Sequence, residues 1–590
     1  MAYGRQVAVV ASGAMVLGLA AGVPAVGASV PGGVGAAVIA ADNSIPNKTK
    51  VSFYVGLDRP EEAAIKRLRK MSDPTSSSYR QFPSRKKVAS KYGASTKTIK
   101  AARASVKKYG LKLHVDDTGV FARVSGTAKQ MKNWVGKAVG AEQVPLPGGT
   151  VTIYATTASF PKGKAEGIRE FFGYDVQSDF GGATSSLSSK NPPYDGVQTG
   201  TPLNSCLVTD PELSGYTYSV NELRTAYGLD SLPAGPKVAK AARVVILAEG
   251  DGFSDEALAM FAECFQLPAV SFDRVDVPGL TGDLPEGDEG DLDVQVVHSV
   301  LPAGSKVSVV QTSSVDMRDF LIWSTAFSLN KLPDVITTSY GSCEPQQRKS
   351  STVGITMTES VLARLSLAGV SMFSAAGDRG SSDCVNNETG KGNTRLAVDY
   401  PGSSHHVTSV GGSRIELTAA NKRADEVVWF GPAAAPPLDS SSGGGGGTSI
   451  LFERPWWQPK SVTKSSMRTV PDVVAHAAET PGWPVVTVFN EAGELGLFPV
   501  GGTSAATPFT ASTIGLIAAN ERVKGRPALG QVQPLFYHLA DKKPSTFFDI
   551  VTGNNDVFDK GCCAAKKGYD KASGLGALKF DKLAQRLPKP

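Results

Sequence analysis

The sequence predicts an α/β protein: a large domain built on a parallel sheet flanked by helices, preceded by a small α+β domain. Three observations point there. From residue 243 onward, near-continuous apolar strands alternate with helices, the pattern of a parallel sheet covered on both faces. Residues 50–139 instead mix strands and helices in an order that suggests a small antiparallel sheet. The charge divides in the same way. Residues 44–180 hold 25 Lys and Arg against 11 Asp and Glu, a net +14, and residues 1–43 are neutral; since the whole chain carries +6, residues 181–590 carry −8. A chain of 590 residues, 41% hydrophobic and 20% charged, suffices for two or more folded cores.

In chain order, residues 1–28 read as a secretory signal: Arg5, an apolar run over 7–21, and the small residues Val26-Gly27-Ala28 as a cleavage point, with Ala40 as an alternative. No other stretch is apolar for long enough to cross a bilayer, so a secreted product, free of the membrane once the signal is removed, is expected. Residues 50–57 read as a strand, 61–70 as a helix stopped by Ser72-Asp73-Pro74, 84–92 and 96–109 as helices, 112–115 and 120–124 as strands, and 130–139 as a closing helix. The basic balance here shows no zinc-finger or aromatic-rich RNA motif, so nucleic acid is not the expected partner. A basic domain docked on an acidic one is the simpler account, because the two fields attract. Residues 176–212, rich in Ser, Gly, Pro and Asn, read as an exposed linker open to proteolysis. Strands are then expected at 244–248, 307–311, 335–339 and 370–375, with helices at 254–265, 289–300, 318–329 and 358–368.

The chemistry concentrates in three places. Gly501-Gly502-Thr503-Ser504 ends a turn and opens a long apolar helix, which puts the Ser504 hydroxyl beside unpaired N–H groups at the positive end of a helix dipole. A plain N-cap is the alternative. Six acids, Asp283, Glu286, Asp288, Glu289, Asp291 and Asp293, crowd eleven positions; they read as a solvated helix start, a calcium loop, or a reactive pair. Glu289 and Asp293 are four apart and share a helix face, where like charges raise at least one carboxyl pKa and favour a shared proton. Asp378 follows an apolar strand in Gly377-Asp378-Arg379-Gly380, which is also a common turn string. A Ser/His/Asp triad is the rival chemistry, but His298 stands about 140° and 180° round the helix from Asp293 and Glu289. His405, His406 and His476 read as structural or surface residues. Six cysteines, Cys206, Cys264, Cys343, Cys384, Cys562 and Cys563, suggest disulfides in an exported chain, with fifteen connectivities open.

These strings resemble the sedolisins, or serine-carboxyl peptidases, which share the subtilisin-like fold. The match runs through Glu289-Gly290-Asp291-Leu292-Asp293-Val294-Gln295, Phe373-Ser374-Ala375-Ala376-Gly377-Asp378, Gly445-Gly446-Gly447-Thr448-Ser449 and Gly-Thr-Ser-x-x-x-Pro at 502–508. Residues 44–178 resemble a kumamolisin-type activation propeptide, through Ser72-Asp73-Pro74, Lys91-Tyr92-Gly93 and Val124-Ser125-Gly126-Thr127-Ala128. The resemblance implies a ferredoxin-like prodomain, a linker over 179–212 holding the processing site, and a peptidase domain over 213–590. It implies Ser504 as nucleophile, Glu289 as its base, Asp293 as orienting acid and Asp378 as a protonated donor to the oxyanion. Extended substrate is expected beside Ser339, Tyr340 and Gly341. It also implies one calcium ion held by Asp549, Ile550, Lys566, Gly568 and Asp570, with Lys566 standing where the family has glycine. Cys562 and Cys563 lie between the halves of that site, and a tie from one of them to another cysteine such as Cys384 is expected. The function that follows is a secreted, monomeric, acid-acting endopeptidase that processes itself and is inhibited by its own propeptide; a tripeptidyl aminopeptidase and an inactive binding protein are the alternatives.

Overall fold

In the computed structural model the described residues are 45–146, 148–158, 166–180, 217–385, 392–431, 442–488 and 493–590. The expected signal and most of the expected linker lie outside them. Among the described residues the large sheet has ten strands, eight of them parallel in the spatial order 271–276, 306–312, 244–249, 335–338, 371–375, 408–417, 473–476 and 577–578, with 423–428 antiparallel to 408–417 and 547–548 antiparallel to 577–578. The sheet starts with Val244–Glu249, crosses to Ser271–Asp276, returns through Lys306–Thr312 and then leaves on the other side through Val335–Thr338. Strand order therefore reverses at Val244–Glu249, and a cleft opens at the carboxyl ends of such strands. The central strands are largely apolar, as in Val-Val-Ile-Leu-Ala over 244–248, because helices cover both faces, whereas the edge strand 271–276 reads Ser-Phe-Asp-Arg-Val-Asp.

The helix Thr503–Val523 is buried from Thr503 to Glu521. Its residues are apolar or small on every side, as suits a helix sunk into a core. Pro508 sits inside it and has no N–H to close the turn onto the Ser504 carbonyl. Ser339 Oγ lies 3.2 Å from that carbonyl. A hairpin of Trp483–Val488 and Leu495–Val500 leads directly into this turn.

The small domain is α+β, as expected, with an antiparallel sheet ordered 112–115, 121–127, 50–57, 168–172. Lys50–Leu57 is buried on both faces. Phe53 and Val55 enter this domain's own core, whereas Tyr54 on the other face packs edge-on to Phe320 of the large domain at 5.4 Å. The unit does not close at 139. The last helix is Ala128–Val135, ended by Gly136 at φ +75°, and a second sheet of 140–146, 149–155 and 174–180 follows. Its last strand, Tyr174–Phe180, takes the first residues expected in the linker, and Ser178 and Phe180 donate to the carbonyls of Gly279 and Thr281.

The docking between the domains differs from a simple basic-on-acidic contact. Arg80 pairs with Glu521 as expected, but Arg318 and Arg364 of the large domain pair with Asp175 and Glu61 of the small one. The net charges describe the exposed surfaces, while the buried pairs run in both directions. The cysteine tie also differs: Cys384 bonds Cys343, and Cys562 bonds its neighbour Cys563. Cys343 and Cys384 are brought together by the loops that follow Val335–Thr338 and Ser371–Ala375, a proximity that spacing along the chain does not encode. Cys264 is also disulfide-bonded.

Candidate active site

Three strand ends and two helix starts converge. Asp251 follows Val244–Glu249, Ser339 follows Val335–Thr338 and Asp378 follows Ser371–Ala375; Glu289 stands in the first turn of Asp288–Val300 and Ser504 in the first turn of Thr503–Val523. Glu289 and Asp293 share one face of their helix, and Asp293 is 1% exposed. Ser504 stands beside Glu289 and favours its charged form, and Ser339 donates to Asp293 at 2.6 Å. One oxygen of each acid, Oε1 of Glu289 and Oδ2 of Asp293, is buried without a partner. Burial raises both carboxyls well above the usual range; for Glu289 the Asp293 and Asp251 charges add to it, and Asp251 likewise raises Asp293. Unpartnered oxygens on two carboxyls of one helix face are the positions that a retained proton would occupy.

Asp251 is a third carboxyl that the sequence reading missed. It accepts the Tyr340 hydroxyl and stands at the start of the helix that carries the acid pair, where the N–H groups of Gly290 and Glu289 favour its charge. Burial holds it at about 6. Its signal was present as an acid between two glycines directly after an apolar strand, a string that turns use as often as sites do.

Asp378 Oδ1 accepts both the N–H and the hydroxyl of Thr503, at 2.8 and 2.9 Å. Its Oδ2 lies against Gly502, where a Cβ would approach to 3.0 Å and where φ is +104°. Only glycine suits that position. Burial raises Asp378, against the lowering effect of the Thr503 bonds. Asp383 and Asp399 stand near it, both held well above the usual carboxylate range by burial and then by neighbouring carboxyls. A protonated Asp378 presents an O–H beside the Ser504 turn, the geometry needed to stabilise a developing negative oxygen.

The histidines lie elsewhere. His298 bonds the Pro268 carbonyl at 2.6 Å and His476 the Pro481 carbonyl at 2.8 Å, while His405 bonds the Glu453 carbonyl at 2.6 Å. Burial lowers the pKa of His298, His405, His406 and His476. Of the three residues expected beside the substrate, Ser339 and Tyr340 turn their side chains to Asp293 and Asp251, leaving the main chain through Gly341 as the available edge.

The expected calcium ligands come from two segments, 549–550 and 566–570, that meet at Asp549 and Gly568. Both oxygens of Asp549 face the Gly568 N–H at 3.1 and 3.0 Å, and Asp570 accepts the N–H of Lys566 at 2.9 Å and that of Ser573 at 2.7 Å. The described residues contain no group of three or more His, Cys, Asp or Glu side chains able to hold an ion. Asp549 and Asp570, with the carbonyls of Ile550, Lys566 and Gly568, would offer only oxygen donors, the kind a hard cation takes.

Comparison with known proteins agrees with this architecture. Residues 39–160 match the family model described as "Pro-kumamolisin, activation domain", and residues 297–544 match the "Subtilase family" model. Kumamolisin of Bacillus sp. (strain MN-32) is 31% identical over 361 residues, 58% of this chain and 59% of its own length. Tripeptidyl-peptidase 1 of Dictyostelium discoideum is 28% identical over 360 residues, 56% of this chain and 52% of its own. The match therefore spans between half and three-fifths of these relatives. Sedolisin of Pseudomonas sp. (strain 101) is 25% identical over 553 residues, 90% of this chain and 86% of its own. The solved structure of Pseudomonas sedolisin, a serine-carboxyl proteinase complexed with two molecules of pseudo-iodotyrostatin, superposes with a TM-score of 0.54 at 24% identity, covering 63% of this chain and 98% of that one. The likeness is one of fold.

Proposed function

We propose that this chain, which joins a pro-kumamolisin activation domain to a subtilase-family domain of sedolisin-like fold, is a serine-type peptidase made as a self-processing precursor. Ser504 attacks the peptide carbonyl, Glu289 accepts the hydroxyl proton and returns it to the leaving amine, and Asp293 orients Glu289. Asp378, protonated, donates to the tetrahedral oxygen together with backbone N–H groups. The observation that carries the reading is the convergence of the helix starts that hold Ser504 and Glu289, with Glu289 raised by burial and then by Asp293. The Glu289–Asp293 pair that has lost one of its two protons keeps a carboxylate to accept the serine proton, while Asp378 holds its own proton in acid.

Residues 44–178 serve as the inhibitory propeptide, and the cut falls within 179–212. The chain is exported by residues 1–28 and acts as a monomer. Peptide substrates lie extended along Tyr340 and Gly341, and internal cleavage is the primary reading. Similarity to tripeptidyl-peptidase 1 keeps amino-terminal tripeptide release as the second. Calcium, bound through Asp549, Asp570 and the carbonyls of Ile550, Lys566 and Gly568, would pin the loop that crosses the end of the sheet. Purified precursor and its Ser504→Ala form are moved from neutral pH to about pH 4, near the carboxyl range. Trimming near 180–210 and casein digestion by the wild type alone support the reading; inertness of both forms, with calcium or a helper protease added, refutes it and favours a binding role. An amino-blocked peptide separates internal from tripeptidyl cleavage.

A further inference from the structure

The helix that carries Glu289 and Asp293 has a second polar face. At about 100° per residue, Asp288, Asp291 and Gln295 fall within roughly 60° of one another and about 150° from the reactive pair. We infer that Asp288, Asp291 and Gln295 are positioning residues that clamp the strand pair 483–488 and 495–500 to this helix, and that the clamp closes through a proton held between Asp291, Thr487 and Asp288. The inference rests on the proposed peptidase reading for its purpose, since the hairpin delivers Ser504 to Glu289.

The geometry is specific. Gln295 is fully buried; its Nε2 donates to the Val486 carbonyl at 2.7 Å, and its Oε1 accepts the Val486 N–H at 2.9 Å. The side-chain amide thus pairs with the strand edge as a neighbouring strand would. One residue on, Thr487 Oγ1 lies 2.7 Å from Asp288 Oδ1 and 2.9 Å from Asp291 Oδ2. A hydroxyl has one proton, so it donates to only one of two carboxylates. The Asp291 Oδ1 atom already accepts the Ser254 N–H at 2.8 Å. The closed arrangement is therefore Asp291 Oδ2–H donating to Thr487 Oγ1, whose own proton goes to Asp288.

Burial holds Asp291 at about 8, with Asp288 and Glu286 adding to it, so the proton stays through acid and neutral pH and leaves above that. The charged groups facing Asp291 are Asp288 and Glu286 on its own segment. On the adjoining helix Asp255–Cys264, Asp255 is paired to Arg274, and the hairpin presents the neutral Thr487. These acids belong to the cluster that reads in the sequence as a solvated helix start. Their burial against the hairpin assigns them a different task.

The test uses the Ser504→Ala precursor, which cannot cut itself, and reads hydrogen exchange at the Val486 amide. Adding Thr487→Val or Gln295→Ala is expected to speed exchange tenfold or more at pH 6, with Thr487→Ser as the conservative control. Asp291→Asn keeps an acceptor for Ser254 and a donor for Thr487; it is expected to hold protection at pH 9, where the parent loses it, whereas Asp291→Ala loses it at both pH values. In active enzyme, Thr487→Val and Gln295→Ala are expected to lower kcat tenfold with KM changed less than twofold, and Asp291→Asn to rescue the loss seen in Asp291→Ala. Unchanged protection in Thr487→Val, or Asp291→Asn behaving like Asp291→Ala, overturns the clamp. The exchange arm needs no catalysis, so a failure of the peptidase reading is seen separately.

Discussion

Asp378 offers the sharpest test of the proposed chemistry, because asparagine copies only its protonated form. Oδ1 accepts two bonds from Thr503, leaving Oδ2 as the sole position for a donor beside Gly502. The Asp378→Asn side chain would keep the acceptor toward Thr503 and present Nδ2–H where the acid presents O–H. Asp378→Ala removes the donor, and loss of one oxyanion donor costs about 2.7–4 kcal/mol, a factor of roughly 10²–10³ in kcat. The sign with pH follows from the raised carboxyl pKa. In the wild type the donor is present below that raised value and is lost as the pH climbs through it; in Asp378→Asn it is present throughout. The assay is the rate of an internally quenched peptide's hydrolysis from pH 3 to 7, with precursor trimming as a second readout. Asp378→Asn is expected to stay within about tenfold of the wild type at its acid optimum, and to lose less activity on the alkaline side. If Asp378→Asn falls as far as Asp378→Ala at every pH, the carboxyl is not a neutral donor and the oxyanion assignment fails.

Other outcomes follow from the same geometry. Gly502→Ala places a Cβ 3.0 Å from Asp378 Oδ2 at φ +104°, and is expected to abolish trimming while a thermal melt still shows a folded chain. Asp251→Ala removes a carboxyl whose charge, present above about pH 6, raises both Glu289 and Asp293, so titration of the pair above pH 6 is expected to move to lower pH; an unmoved titration argues against the coupling. Asp175 is raised from 3.8 to about 6 by burial, against the lowering pull of Arg318, so in the docked precursor its charge costs about 3 kcal/mol above pH 6, a cost that fades between pH 6 and 4. Melting of the Ser504→Ala precursor should therefore gain less from acidification once Asp175→Asn is added, and an identical slope refutes this. Glu61 has the opposite sign: its pKa is lowered by Arg364 against burial, so its contribution to docking is lost as the pH falls through that lowered value, and it, not Asp175, favours release in acid. Chelation is expected to lower the melting temperature of a calcium-loaded sample and to leave Asp549→Ala unaffected; equal melting of loaded and chelated wild type removes calcium from the account.

Local chemistry by itself determined a good deal about this protein. Apolar runs such as 244–248 mark parallel strands because both faces must be covered, and a Gly-Gly-Thr-Ser turn ahead of an apolar run marks a buried helix start. Acids four apart mark one helix face, which is how Glu289 and Asp293 could be read together. What depends on atoms distant in sequence was decided only by the tertiary structure. Asp251 reaches the acid pair because strand order reverses at 244–249, and the Cys343–Cys384 bond forms where two crossover loops meet. The continuation of the small domain past 139 depends on 168–172 returning to pair with 50–57, a long-range contact with no local signature. Asp288 and Asp291 look solvated by composition and become a clamp only once Thr487, nearly two hundred residues on, is packed against them. Burial settles such cases: a carboxyl's pKa and its partners follow from what surrounds it in space, and a linear string does not carry that.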